Sequence, residues 1–98
     1  MLFAITYTPR SASEEQDKRM LKLFTNWQPP AGVEIKCFYD YADMNGGFLV
    51  VEASSVEPLL EMTAPWAAFF DFSTRPIISV EASAAIQGKA FAWRDSIR

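Results

Sequence analysis

Histidine is absent from all 98 residues. Its absence removes the usual general base near neutral pH, the usual protein ligand of haem iron and the commonest zinc ligand, so no haem, no tightly bound metal and no other cofactor is expected. Cysteine is limited to Cys37, which rules out an internal disulfide. The sequence opens directly on MLFAITYT, with no charged segment or cleavage site ahead of it, and the expectation is a cytoplasmic protein. There is no run of Lys and Arg and the net charge is -3, which argues against nucleic acid as a partner, because affinity for phosphates comes mainly from clustered cations. No apolar run approaches the roughly 20 residues that span a bilayer, so no membrane partner is expected. Nor does any stretch carry a catalytic signature.

What is present is half hydrophobic, with charges scattered rather than blocked, and 98 residues suit one domain over 1–98 that buries roughly two thirds of its unfolded surface. The chain is organised around residues 32–53, GVEIKCFYDYADMNGGFLVVEA. Val33, Ile35, Cys37, Tyr39 and Tyr41 alternate with Glu34, Lys36, Phe38 and Asp40, the period of a strand with two different faces. Residues 48–53 are apolar at almost every position, which suits a central strand covered on both sides. Between them Asn45-Gly46-Gly47 accepts positive φ at little cost, so 33–53 reads as a hairpin.

Residues 2–8 are β-branched and aromatic and end at Pro9, a first strand. Ser13 with Gln16 has the spacing of a capping box and starts a helix whose Met20, Leu23, Phe24 and Trp27 form a buried stripe; Pro29-Pro30 ends it. Ser54 or Ser55 is expected to cap a second helix with Pro58 in its first turn, an inner stripe of Val56, Leu59, Leu60 and Thr63, and Pro65 as its stop. Residues 69–80 return to strand composition, and Pro76 within them marks an edge or a bulge. From Glu81 onward Ala82, Ala85, Ile86, Lys89, Ala90 and Trp93 follow helical spacing, with Lys89, Arg94 and Arg98 toward the C-terminal end. Gly88 weakens that helix by about 1 kcal/mol unless a close backbone contact explains it.

The order βαββαβ followed by a helix predicts an α+β, ferredoxin-like domain with both crossover helices on one sheet face. The other face is then apolar and open, and the simplest cover is a second copy, so a homodimer joined through sheet faces and the 69–80 strand is expected. If Val33, Ile35 and Cys37 meet the helices, then Lys36, Phe38, Asp40, Phe48, Val50 and Glu52 line the space under that cover. Lys36, Phe38, Asp40, Phe48, Glu52 and Arg75 are thus the candidate ligand-binding residues, for a small, mostly apolar or aromatic molecule with Lys36 as the counter-charge to an anionic group. The competing reading pairs Glu34, Lys36, Asp40, Glu52 and Arg75 across strands or leaves them at a wet rim. Cys37 reads as an inert core thiol, and Trp27, Trp66 and Trp93 as packing residues. Asp43, Asn45, Gly46, Phe48 and Glu52 fall at places of a calcium loop, but Tyr41 stands where its first carboxylate belongs and strands flank it, so a hairpin turn is the better reading.

Asn26-Trp27, Pro29-Pro30-Ala31-Gly32-Val33-Glu34-Ile35-Lys36, Asn45-Gly46-Gly47-Phe48, Val51-Glu52-Ala53, Ala64-Pro65-Trp66 and Phe69-Phe70-Asp71-Phe72 together resemble a small bacterial family of uncharacterised domains, over nearly the whole chain. That family is similar in architecture to the dimeric α/β-barrel superfamily, which includes antibiotic-biosynthesis-type monooxygenases, haem-degrading monooxygenases and stress-responsive barrel proteins. The resemblance implies the fold and a dimer and brings no activity with it. A haem-degrading barrel uses a histidine on iron, which this chain cannot supply. Three functions compete: a binding protein for a small apolar or aromatic molecule; a cofactor-independent monooxygenase or isomerase in which Asp40, Glu52, Tyr39 or Tyr41 moves a proton; and a structural interaction module working through its last helix.

Overall fold

In the computed structural model, which describes residues 1–11 and 13–97, the chain runs β1 (Leu2–Pro9), α1 (Glu14–Thr25), β2 (Val33–Asp40), β3 (Gly47–Ala53), α2 (Glu57–Thr63), a 3-10 turn (Ala64–Trp66), β4 (Phe70–Ile77) and α3 (Val80–Ser96). The strands form one antiparallel sheet in the order β2-β3-β1-β4, the ferredoxin-like α+β layout that the element order predicts. Pro76 lies on β4, an edge strand, where a missing ladder donor is tolerated. Arg98, assigned from sequence to the basic end of the last helix, lies outside the described residues.

Period-two alternation along β1 and β3 sorts the sheet into two faces. Phe3, Ile5 and Tyr7 of β1 join Leu49, Val51 and Ala53 of β3 and Leu59 and Met62 of α2 in the core. Ile5 and Val51 are wholly enclosed, each worth about 1.5–3 kcal/mol of burial. The alternate residues, among them Ala4, Thr6, Phe48 and Val50, point to the outer face, which neither crossover helix covers.

The second strand departs from its simple alternation. Ile35 stands opposite Val51 and Cys37 opposite Val50, so Lys36 is the extra residue of a β-bulge. Beyond it the parity reverses. Phe38 opposite Leu49 and Asp40 opposite Gly47 turn to the helix face, while Cys37 and Tyr39 turn outward. The expected face of Val33, Ile35, Cys37, Tyr39 and Tyr41 is therefore broken in two, and Cys37 is a half-buried residue of the outer face rather than a core thiol.

The hairpin turn is also longer than expected. Residues 41–46 make the loop, closed by the Tyr41 N–H donating to the Gly46 carbonyl at 2.8 Å. Positive φ falls on Met44 and Gly46, not on Asn45, whose N–H donates to Asp43 Oδ1 at 3.0 Å. Gly46 also serves close approach, as does Gly47: a Cβ on Gly46 would overlap the Tyr7 carbonyl, and one on Gly47 would overlap the Tyr39 carbonyl and the Tyr7 hydroxyl.

Ser13 caps α1, its Oγ accepting from the Gln16 N–H at 3.1 Å, but the Gln16 side chain accepts from Ser11 rather than closing the capping box. The expected buried stripe of α1 is only half covered, for no residue of this helix is buried. In α2 neither Ser54 nor Ser55 caps; the N-cap is Val56, with no side-chain bond, and Pro58 sits in the first turn. The inner residues are Leu59 and Met62, whereas Val56 and Leu60 face water, because the helix starts later than the serines suggested. Residues 69–80 divide into β4 and the start of α3, with Ser79 Oγ accepting from the Ala82 N–H at 3.1 Å. No residue of α3 is buried, and nothing lies within 4 Å of where a Gly88 Cβ would stand, so no close contact offsets the cost of that glycine. Among the described residues no helix is long and apolar enough to cross a membrane.

Candidate functional site

Because α1 stands off the sheet, a cavity of about 490 Å3 opens between them. Its floor is the helix face of the sheet: Tyr7 from β1, Phe38 and Asp40 from β2 beyond the bulge, Leu49 from β3, and Phe70 and Phe72 from β4. One wall is α1, through Met20, Leu21 and Phe24, with Trp27 just beyond its end; the other is the end of α2 and the 3-10 turn, through Met62, Thr63 and Trp66. Each wall follows from local sequence. The spacing of Met20, Phe24 and Trp27 places them along one side of the helix and its exit, and Pro65 tightens the chain into the turn that buries Trp66.

Aromatic rings set the geometry. Trp27 meets Trp66 edge to face at 5.7 Å between centroids, Phe24 stacks on Trp27 at 6.0 Å and reaches Trp66 at 5.9 Å and Phe38 at 6.2 Å. Across the floor Tyr7 meets Phe70 at 5.2 Å and Phe38 at 5.9 Å, both edge to face. Such pairs are worth about 0.5–1.5 kcal/mol beyond their burial, so the walls are held without filling the space between them.

One corner is polar. The Tyr7 hydroxyl donates to Asp40 Oδ1 and has the Tyr39 carbonyl as a more distant acceptor at 3.4 Å. Burial first, then the hydrogen bond to Asp40 and that carboxylate's charge, hold the Tyr7 phenol well above the ordinary phenol range. At neutral pH it is a fixed donor, not a phenolate, and it leaves the other carboxylate oxygen of Asp40 free to accept. Thr63 spends its hydroxyl on the Leu59 carbonyl at 3.2 Å, so it adds little polarity.

The residues singled out from sequence are divided by the bulge. Phe38 and Asp40 line the cavity. Phe48, Val50 and Glu52 lie on the outer face, where Phe48 packs between Tyr39 at 5.8 Å and Tyr41 at 6.2 Å. Arg75, opposite Ala4, is also on the outer face and exposed. Lys36 Nζ pairs with Glu34 Oε1 at 3.1 Å and does not line the cavity, and Glu52 Oε1 pairs with the Met1 amino group at 2.6 Å. Among the described residues no three His, Cys, Asp or Glu side chains gather in a way that would hold a metal ion.

Sequence reading missed Tyr7, taken only as part of the first strand, and Phe24, Trp27 and Trp66, assigned to packing, as site residues. The one signal that pointed to Tyr7 was its hydroxyl, carried by an otherwise apolar set of alternate positions on β1.

Among curated proteins none matches the chain. Residues 1–91, from β1 through most of α3, match the family described as a domain of unknown function (DUF3303), and the chain belongs to that family.

Proposed function

We propose that the chain is a binding protein for a small, mostly apolar molecule with an aromatic ring, held in the cavity between α1 and the sheet. The observation that carries this reading is an aromatic-lined space of about 490 Å3 with a single polar corner, which falls in the range of about 300–1,000 Å3 and has the mixture of apolar walls and few polar groups that small-molecule sites have. The corner is acidic, so a ligand hydroxyl, amide or amine suits it, and an anionic group does not. The same reading sets the family beside the dimeric α/β-barrel proteins, supported by the βαββαβ order and the open sheet face.

Catalysis by a cofactor-independent monooxygenase or isomerase is the second reading, favoured by the Tyr7 and Asp40 pair at the rim of the aromatic cavity, where a carboxylate can take a substrate proton. It requires that Asp40→Asn abolish turnover while leaving the affinity for an apolar probe intact.

The binding test uses N-phenyl-1-naphthylamine, a neutral probe that brightens in apolar sites. With Trp93→Phe removing the one tryptophan outside the cavity, Trp27 and Trp66 report occupancy directly. Leu21 lines the cavity but is 62% exposed, so Leu21→Glu places a charge at the mouth without disturbing the core. The expected result is saturable binding that quenches both tryptophans, falls at least 10-fold in Leu21→Glu and is unchanged in Arg75→Ala. Probe binding that ignores Leu21→Glu and leaves the tryptophans unquenched would overturn the reading.

A further inference from the structure

Two apolar surfaces of the chain are uncovered, α3 and the part of the outer sheet face that carries Leu2, Ala4, Cys37, Tyr39, Phe48 and Val50, and the area they leave open indicates what covers them. The chain exposes 7512 Å2, where a compact chain of 11.0 kDa exposes about 5,600 Å2, an excess of about 1,900 Å2. Its radius of gyration of 17.9 Å exceeds the roughly 13 Å of a compact domain of this length. Much of the excess is α3, a helix of 17 residues with none buried. Ile86 and Trp93 lie along one side, seven residues apart, and Val80, Ala84 and Phe91 along another at intervals of four and seven. A helix apolar on two sides packs between two surfaces, and with no packed face a helix of this length is marginal in water.

We propose that α3 lies across the outer sheet face of a second copy of the chain, whose own α3 lies across the first, in a two-fold exchange. This arrangement is independent of what the α1 cavity binds. At about 1.5 Å per residue α3 is about 26 Å long, enough to cross four strands about 4.8 Å apart. Two copies that cover one another's excess bury about 3,800 Å2, inside the range of about 2,000–5,000 Å2 found for permanent homodimers. A different partner would have to match the helix and the sheet separately. A symmetric exchange satisfies both at once, because each copy supplies the helix that the other's sheet lacks. Phe48, Val50, Cys37 and Tyr39 then become the floor on which the partner's helix rests.

Cys37, the one cysteine of the sequence, sits on that floor and makes the arrangement testable in the full chain. Ala85→Cys, Ile86→Cys and Ala90→Cys, each made singly, sample the register of α3, and each is oxidised in dilute solution with and without Cys37→Ala. Sedimentation equilibrium is expected to give twice the chain mass at micromolar concentration. At least one helix cysteine should yield a reducible dimer that disappears with Cys37→Ala, and Trp93→Glu should weaken the dimer at least 10-fold. A chain-mass species at micromolar concentration would overturn the proposal. So would a disulfide to Cys37 within one chain, a dimer whose cross-link survives Cys37→Ala, or a dimer in which none of the three positions cross-links.

Discussion

Replacing Tyr7 by Phe separates what its ring does from what its hydroxyl does. The ring contacts with Phe70 at 5.2 Å and Phe38 at 5.9 Å survive, and what is lost is the hydroxyl with its hydrogen bond to Asp40 and its longer one, 3.4 Å, to the Tyr39 carbonyl. A hydrogen bond to a charged group contributes about 1.5–3 kcal/mol, but Asp40 is exposed and water replaces the lost donor, so about 1–1.5 kcal/mol is expected at pH 7. That corresponds to a fall of roughly 4–12 °C in Tm for a chain of this size. The pH dependence is the sharper part. The phenol is held above its ordinary value in the fold, so above about pH 10 the unfolded chain releases this proton while the folded one keeps it. The unfolded state then binds fewer protons and stability falls as pH rises, by about 1.4 kcal/mol at pH 11 from this group, whereas below about pH 9 its contribution is constant. Tyr7→Phe lacks that group. Urea unfolding followed by circular dichroism at pH 7, 9 and 11 should therefore show wild type the more stable at pH 7 and 9 and the gap closing by pH 11. A gap that is constant with pH, or a variant as stable as wild type at pH 7, would refute the assignment of Tyr7 as a buried donor to Asp40.

Gly47→Ala brings a Cβ into the Tyr39 carbonyl and the Tyr7 hydroxyl, and because the first of these is backbone the end of the β2–β3 ladder must open; a loss of about 2–4 kcal/mol in urea unfolding is expected. Val51→Ala removes two methyl groups from a position with no exposure and should cost about 2–3 kcal/mol with an unchanged urea slope, since neither end state changes its surface appreciably. Ser13→Ala removes the Oγ that accepts from the Gln16 N–H; because α1 buries nothing, its cost of about 1 kcal/mol should appear as faster amide exchange in the first turn of that helix more than as a lower Tm.

The hairpin, the edge strand and the start of α1 were legible because each has a local physical signature, whereas the start of α2 was misplaced because the serines at 54 and 55 cap nothing, and the Ser79 cap of α3 was missed because that serine stood inside a strand-like run. A β-branched and aromatic run marks β1, alternation marks β2 as far as its bulge, a proline inside a strand marks β4 as an edge, and Ser13 marks the start of α1. The bulge at Lys36 was not legible. Phe38 and Tyr39 are both aromatic, so either parity of the strand looks sensible, and only the register against β3 shows that Phe38 is the inward one. That single inserted residue moved Phe38 and Asp40 into the α1 cavity and left Phe48 and Glu52 behind on the outer face. The stripe on α1 was legible as a direction but not as a distance: periodicity says which side faces the sheet, and says nothing of how far off it the helix stands, with Phe24 meeting Phe38 at 6.2 Å and Trp66 at 5.9 Å.

The central claim is that ligand enters between α1 and the sheet. Nitrogen-proton correlation spectra of the labelled chain, recorded during titration with a neutral aromatic amide such as N-phenylacetamide, test it residue by residue. The account predicts saturable shifts concentrated at Tyr7, Phe24, Phe38, Asp40, Met62 and Trp66, with Val50, Glu52 and Arg75 unmoved. Shifts confined to the outer face, or none across a panel of such compounds at millimolar concentration, would contradict it.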